Sequence, residues 1–399
     1  MEFSDSFWAF IDDNLHCDPN SLRLKYHSSD SLDFDVQFAI CQIECRKKCS
    51  HKLPSFCSNK RVIFPTTLSS EQCTSEVLAR FHASLLPNGC ALLDMTSGLC
   101  IDGIHASAKC NHVTAIDINP IVTESVRYNL KVLGVDNLEV INQDSIDYLS
   151  NSEQKWDVIF IDPARRAESN KRTFAFEDCE PNIIEHFDLI KQHCHSLIIK
   201  ASPMLDITKV INSVGQITDI WVLSVRNECK EVLIKCDFVN SSDEISVHAI
   251  DFDKDANMNI FSFAWNEAID SEVSYVENID EIGQNWLYEP NSSLMKCACW
   301  NALVGKYPRL KKMHQNTHLF VSSEFYQDFP GRIHRVADVY NPKSKELKQL
   351  KGEYFNVVLR NYHMSIDIVK KQFKIKDGGN RFIYCFKYGK EKSAILLTE

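Results

Sequence analysis

The 399-residue sequence contains no run of about eighteen apolar residues, so no segment reads as a membrane-spanning helix. It also lacks a positively charged leader, because the N-terminus MEFSDSFWAFIDD is acidic where a secretory signal would be basic. No internal repeat and no low-complexity tract occurs. A soluble cytoplasmic protein, with no membrane contact and no obligate protein partner, is the expectation.

What is present is ordinary in bulk and uneven in detail. Hydrophobic residues make up 44% and charged residues 25%, as in globular proteins. The length exceeds what a single core supports, which predicts several domains. Sixteen cysteines without an export signal are expected to stay thiols. Cys41, Cys45 and Cys49 fall at helical spacing, with His51 and Cys57 following, which raises the question of a metal. Small buried thiols are the favoured reading of that cluster, and no metal is expected. The net charge of -10 conceals a split: residues 296–399 hold 20 Lys+Arg against 9 Asp+Glu, leaving 24 against 45 for the rest. A basic segment on an acidic chain predicts a nucleic-acid contact, although a solvated charged face gives the same count.

Residues 1–85 show helix-like spacing without strand alternation and predict a helical lobe, with a helix opening near Glu71 behind Ser69 or Ser70. Between residues 86 and 240, apolar runs at Ala91–Asp94, Val113–Asp117, Leu138–Ile141, Trp156–Ile161 and Ser196–Ile199 alternate with helical segments. That alternation predicts a Rossmann-like α/β sheet with parallel strands. The last two runs, Ile217–Val225 and Val232–Phe238, lie too close for a parallel crossover and predict an antiparallel last strand. A parallel sheet closed in this way is the methyltransferase variant of the doubly wound fold. Residues 241–318 are expected to form a small α+β module. Residues 319–399 are expected to form a basic β-α-β-α-β-β unit.

Acidic and small residues at successive strand ends mark one crevice in such a sheet. Asp94, Thr96 and Gly98 form the turn after the first strand, where free helix-start amides can face a carboxylate. Asp117 closes the second strand, followed by Asn119, where a carboxylate can take two ribose hydroxyls; a helix cap ahead of Pro120 is the alternative. Asp144 closes the third strand and is placed for an adenine edge, or simply for a cap. Asp162-Pro163-Ala164-Arg165-Arg166 closes the fourth. There Asp162 and Pro163 suit the orientation of an acceptor nitrogen, and Arg165 and Arg166 suit phosphates or an ion pair with Glu177 or Asp178. The fifth strand ends Lys200-Ala201-Ser202-Pro203 without the cysteine that pyrimidine C5 chemistry needs, so a nitrogen or oxygen acceptor is predicted.

These segments, together with LSSEQCTSE (68–76), LLDMTSG (92–98), VRNECKE (225–231), YEPN (288–291), NTHLF (316–320), FPGR (329–332), VLRN (358–361) and KDGG (376–379), carry a resemblance over nearly the whole chain. The chain resembles bacterial class I methyltransferases with ferredoxin-like and C-terminal THUMP-like domains. The resemblance implies S-adenosylmethionine as cofactor and tRNA or rRNA as partner. With the basic count, it directs Arg332, Arg335, Lys343, Lys345 and Lys348 toward phosphates. Cys100 stands where a second glycine is usual, and Arg165 where an aromatic is usual. A small-molecule or protein methyltransferase, and a non-catalytic RNA-binding protein with a degenerate cofactor domain, are the alternative expectations.

Overall fold

The computed structural model describes residues 1–27, 32–165, 176–240, 242, 244–266 and 272–399, with residue 165 described by its backbone only. The chain divides into two compact units, Met1–Thr218 with Leu233–Ser242, and Asp219–Val232 with Asp243–Glu399.

The first unit begins with six helices: α1 Asp5–Asn14, α2 Pro19–Lys25, α3 Val36–Cys49, α4 Pro54–Ser58, α5 Thr67–Gln72 and α6 Glu76–Ser84. Side-chain oxygens of Ser4, Asp18, Asp35 and Thr66 cap α1, α2, α3 and α5 by accepting a backbone N–H of the first turn. The helix predicted near Glu71 is in fact two, because Cys73 is extended (ψ 156°) and interrupts the run. That break frees Thr74, whose role appears below. Phe7, Trp8, Ile11, Ala39, Ile40 and Ile43 form the lobe's core. Cys45 and Cys49 are buried on α3 and donate to the carbonyls of Thr66 and Ser70 at 3.7 and 3.4 Å. Among the described residues no group of three or more His, Cys, Asp or Glu is placed to hold a metal.

Strands and helices then alternate: β1 Ala91–Asp94, α7 Ile101–Ser107, β2 His112–Asp117, α8 Pro120–Leu133, β3 Leu138–Asn142, α9 Ser145–Ser150 and β4 Trp156–Ile161. The two-residue β5 Ala164–Arg165 and β6 Cys179–Glu180 pair with each other, and α10 Ile183–His193, β7 Cys194–Ala201 and α11 Ile207–Ser213 follow. β8 Ile217–Val225 and β9 Glu228–Asp237 complete the set. β3, β2, β1, β4 and β7 pair in parallel in that order. Between β8 and β9 only Arg226 and Asn227 intervene, both left-handed (φ 53° and 62°), which is the backbone of a two-residue hairpin turn. The expected antiparallel last strand is therefore present, with a tighter turn than the sequence spacing suggested.

Two further strands, β10 Ser246–Phe252 and β11 Met258–Ala264, correct the expected module at 241–318. β10 pairs in parallel with β8, and β11 antiparallel with β10. The full order is β11-β10-β8-β9-β7-β4-β1-β2-β3. The physical reason is the open edge of β8, which β10 covers with the buried Val247, Ala249 and Ile250.

The second sheet lies in the second unit. It uses β12 Trp286–Pro290, β13 Lys311–His314, β14 Thr317–Ser322, β15 Gly331–Tyr340, β16 Tyr354–Arg360, β17 Lys376–Tyr388 and β18 Lys392–Thr398, with α12 Ser292–Cys297, α13 Trp300–Lys306 and α14 Ile366–Phe373. Its strand order is β13-β14-β12-β15-β18-β17-β16. The helix expected after Pro342 is a 3-10 turn at Lys345–Leu350. Gly331 has no room for a side chain, since a Cβ there would meet the Glu289 carbonyl at 2.1 Å. Among the described residues no helix is long and apolar enough to cross a membrane.

Candidate active site

The turn after β1 is stitched to both neighbours: the Met95 N–H donates to Phe160 O and the Ser97 N–H to Ile116 O, each at 2.9 Å. Gly98 then bends at φ +50°, with its N–H donated to Asp117 Oδ2 at 3.0 Å. Asp117 Oδ1 accepts the Asn119 N–H at 2.8 Å, while Asn119 itself caps α8 through the Ile121 N–H. Thus Asp117 is not the helix cap. Its carboxylate ties the glycine turn to the end of β2 and faces the cleft. Ile118, next to it, is 71% exposed, a level at which an isoleucine has no packing role in the free protein. Asp144 caps α9 through Oδ1, accepting the N–H groups of Ile146 and Asp147. Both sequence readings of Asp144 are compatible with this, since the side chain sits on the cleft wall.

Asp94, Thr96, Gly98, Asp117, Asn119, Asp144, Asp162 and Pro163 all border one cleft of about 1100 Å³. Thr66–Ser69, Gln72–Thr74 and His186 border it too; LSSEQCTSE carried the resemblance without being expected at the cleft, and His186 was not singled out from the sequence. Of the arginine pair, Arg165 has its backbone in the short β5–β6 ladder. Arg166 lies outside the described residues.

Cys100 adopts the left-handed conformation that a glycine would (φ 60°), and its side chain is fully buried. A Cβ on Gly103 would stand 2.7 Å from the Cys100 sulfur and 3.3 Å from Leu138. The missing second glycine is therefore compensated three residues later, and the buried Cys100, which borders the cleft, joins the core cluster of Val113 and Leu138. Burial, then the Asp94, Asp102 and Asp117 carboxylates, pushes this thiol's pKa far up. Gly103→Ala is expected to lower stability by about 1–3 kcal/mol, and Cys100→Gly in the same chain should restore part of it. Thermal melts of the two single variants and the double variant check the coupling; an unchanged melt for Gly103→Ala would refute it.

The floor of the cleft is a chain of ionisable groups. Lys200, next to last in β7, donates to Asp162 Oδ2 at 2.6 Å and to Thr74 Oγ1 at 3.0 Å. Thr74 donates to Asp102 Oδ2 at 2.5 Å, and Asp102 Oδ1 meets His82 Nδ1 at 2.7 Å. The Asp162 N–H donates to Thr96 Oγ1 at 2.7 Å, so the backbone of the fourth strand end also holds the first turn. Burial alone would raise Asp102, but His82, Lys200 and Thr74 hold its carboxyl down at about 2. Asp94 is pushed up to about 8 by burial, then by Asp102, with Asp162 adding to the rise, while its Oδ1 accepts the Thr96 N–H at 3.1 Å. The sequence offered one signal for Lys200, a lysine closing an otherwise apolar strand. Thr74 lies in the LSSEQCTSE motif, whose spacing gave no hint of this role, and Asp102 and His82 offered no signal, because the fold alone brings them together.

In the second unit, Lys343, Lys345 and Lys348 are exposed. Arg332 and Arg335 already have structural partners: Arg332 approaches Glu289 at 3.6 Å, and Arg335 lies over the Trp286 ring and 4.0 Å from Glu399. The two arginines therefore serve packing at least as much as any phosphate contact, which narrows the expected set.

The order of the first sheet, with its antiparallel last strand and a cleft at the carboxyl ends, defines the methyltransferase variant of the doubly wound α/β fold. Comparison with known proteins agrees. Residues 75–177 match a family model described as conserved hypothetical protein 95, residues 286–330 a ferredoxin-like domain, and residues 331–399 a THUMP domain-like family. The expected division at residue 318 thus moves to 330. A crystal structure from Porphyromonas gingivalis W83, provisionally described as a methyltransferase, superimposes with a TM-score of 0.86 at 24% identity, covering 100% of this chain and 99% of that one. At this identity the likeness establishes the fold. An uncharacterised RNA methyltransferase of Mycoplasma mobile is 32% identical over 75 residues, which is 19% of this chain; the match spans only 21% of that relative's length. The chain carries a methyltransferase fold together with ferredoxin-like and THUMP-like domains, as its motifs implied.

Proposed function

We propose that the protein is a cytoplasmic S-adenosylmethionine-dependent methyltransferase acting on a nitrogen of an RNA base, in tRNA or rRNA. The observation that carries this reading is the Asp117 carboxylate, fixed by the N–H groups of Gly98 and Asn119 beside the exposed Ile118. A charged acceptor pair next to an apolar shelf fits a ribose and its attached purine. Asp144 and the α9 start suit the adenine edge, and the turn Asp94–Gly98 suits the methionine end. Asp162, held from the cleft floor by Lys200 and bordering the cleft, suits the orientation of an acceptor amine.

A nitrogen acceptor is favoured over carbon because the fifth strand end carries Lys200, while Cys194 is buried and its pKa is pushed up to about 12 by that burial. RNA is favoured by the THUMP-like match, by the name of the Mycoplasma relative and by the basic balance of residues 296–399. Calorimetric titration of cofactor-free protein with S-adenosylhomocysteine is expected to show micromolar binding. Labelled methyl from S-adenosylmethionine should then appear in tRNA or rRNA, with the modified nucleoside identified after digestion. No binding of the homocysteine product would overturn the cofactor assignment; label confined to protein or small molecules would overturn the RNA assignment.

A further inference from the structure

The THUMP-like sheet ends on β16, whose first residue, Tyr354, is 52% exposed. Its hydroxyl makes no hydrogen bond among the described residues, so the ring has neither a core nor a polar role. Tyr354 faces Lys376 across the parallel β16–β17 pair, and the Lys376 ammonium lies 5.1 Å from the ring centroid. The register then breaks: Phe355 pairs with Asp377 but Asn356 with Phe382, so residues 378–381 bulge out of the ladder. Gly378 and Gly379 (φ 116° and 79°) occupy that bulge, and a Cβ on Gly379 would touch Tyr354 Cβ at 3.4 Å. Bare glycine backbone therefore lies beside the base of the Tyr354 side chain, and about half of that residue's surface is open to solvent.

The surroundings are cationic. The Gly352 N–H donates to Lys374 O and the Lys376 N–H to Glu353 O, at 2.9 and 2.8 Å, which brings the backbones of 351–353 and 374–376, with Lys351, Lys374 and Lys376, together beside the start of β16. All three are exposed, and none has a carboxylate partner among the described residues. The acids nearby are already engaged, Glu353 by Arg381 at 2.6 Å and Asp377 by Lys370 at 2.9 Å. An open aromatic face rimmed by unpaired ammoniums is how proteins hold single-stranded nucleic acid, with bases stacked and phosphates neutralised.

We propose that Tyr354, with Lys351, Lys374 and Lys376, forms a stacking site for an unpaired base of an RNA strand. The inference rests on the RNA reading above and assigns that RNA a surface outside the residues expected from the sequence. The ring argues for RNA over an acidic peptide, because a peptide carboxylate would use the lysines and leave the tyrosine idle.

The test is fluorescence anisotropy of the full chain with a labelled single-stranded RNA of about 12 nucleotides, within the range one such domain covers. Tyr354→Ala is expected to weaken binding about tenfold, Tyr354→Phe to retain it, and Lys351→Glu/Lys374→Glu/Lys376→Glu to weaken it further and flatten its salt dependence. Melting curves confirm that the exposed substitutions leave the fold intact. Wild-type binding that Tyr354→Ala and the triple variant leave unmoved would overturn this site while the RNA reading survives. Polyglutamate that displaces the RNA and binds independently of Tyr354 would reassign the surface to an acidic protein. No binding of any RNA by the wild type would overturn both readings, whereas homocysteine binding tests the cofactor cleft separately.

Discussion

Asp162→Ala is expected to cut methyl transfer about a thousandfold, while affinity for S-adenosylhomocysteine stays within about threefold. The separation follows from how the site is wired. Residue 162 supports the cofactor turn through its backbone N–H, which donates to Thr96 Oγ1 whatever the side chain is. Its carboxylate does a different job: Oδ2 accepts from Lys200 and the group borders the cleft, where it would orient the incoming nitrogen. Removing the carboxylate takes away both the lone-pair orientation and the acceptor for the proton that methylation releases, each worth orders of magnitude in rate. Asp162→Asn should fall between, since the amide keeps one acceptor oxygen but loses the charge that Lys200 partners. Single-turnover transfer of labelled methyl, beside a homocysteine titration, reads both quantities. Turnover within about tenfold of wild type would remove Asp162 from the reaction.

The fourth strand end carries Ala164 and Arg165 after Pro163, with no aromatic at either position. The cleft wall at Asp162-Pro163-Ala164 carries no exposed ring, and Phe160, which borders it, is 5% exposed. An acceptor base must therefore be held by something other than an aromatic following Pro163. Besides Ile118 at the end of β2, Leu68, 59% exposed on α5, is a large apolar side chain that borders the cleft. It belongs to the LSSEQCTSE motif, whose break after α5 also delivers Thr74 to Lys200. The motif is thus better explained by what its interrupted helix positions than by the helix start itself.

The strands of the first sheet were legible because each is a short apolar run with an acidic or small residue at its end, and burial of both faces imposes that pattern. Asp117 and Asp162 were legible for the same reason. Asp102 and His82 were not, since both sit on helices and meet only when α6 and α7 pack together. The pairing of Ser246–Phe252 with β8 was not legible, because that segment reads as a strand in any sheet. What decides its place is the unpaired edge of β8, a tertiary property. Cys100 looked like damage to the glycine turn, and only the position of Gly103 shows the accommodation. Arg332 and Arg335 illustrate the converse: their charge was legible, but the partners that occupy them, Glu289 and Trp286, lie far away in sequence.

The second large effect is expected at Asp117, where alanine should weaken S-adenosylhomocysteine binding by a factor of about 100 or more. Hydrogen bonds to a charged group contribute about 1.5–3 kcal/mol each, and a ribose would use two. The loss also reaches the turn itself, because the Gly98 and Asn119 N–H groups give up their acceptor and the left-handed Gly98 is no longer pinned over β2. Stability should change less than affinity. Asn119 still caps α8, and the Met95 and Ser97 N–H groups still anchor the turn to β4 and β2. Asp117→Asn keeps one acceptor oxygen and should lose only part of the affinity, which separates a ribose contact from a general loosening of the turn. Calorimetry of the two variants beside melting curves decides the matter. If Asp117→Ala binds within about threefold of wild type, the cleft does not hold a ribose at the end of β2. If both variants lose binding together with a large fall in melting temperature, the carboxylate is a structural clamp and the cofactor assignment must rest on other residues.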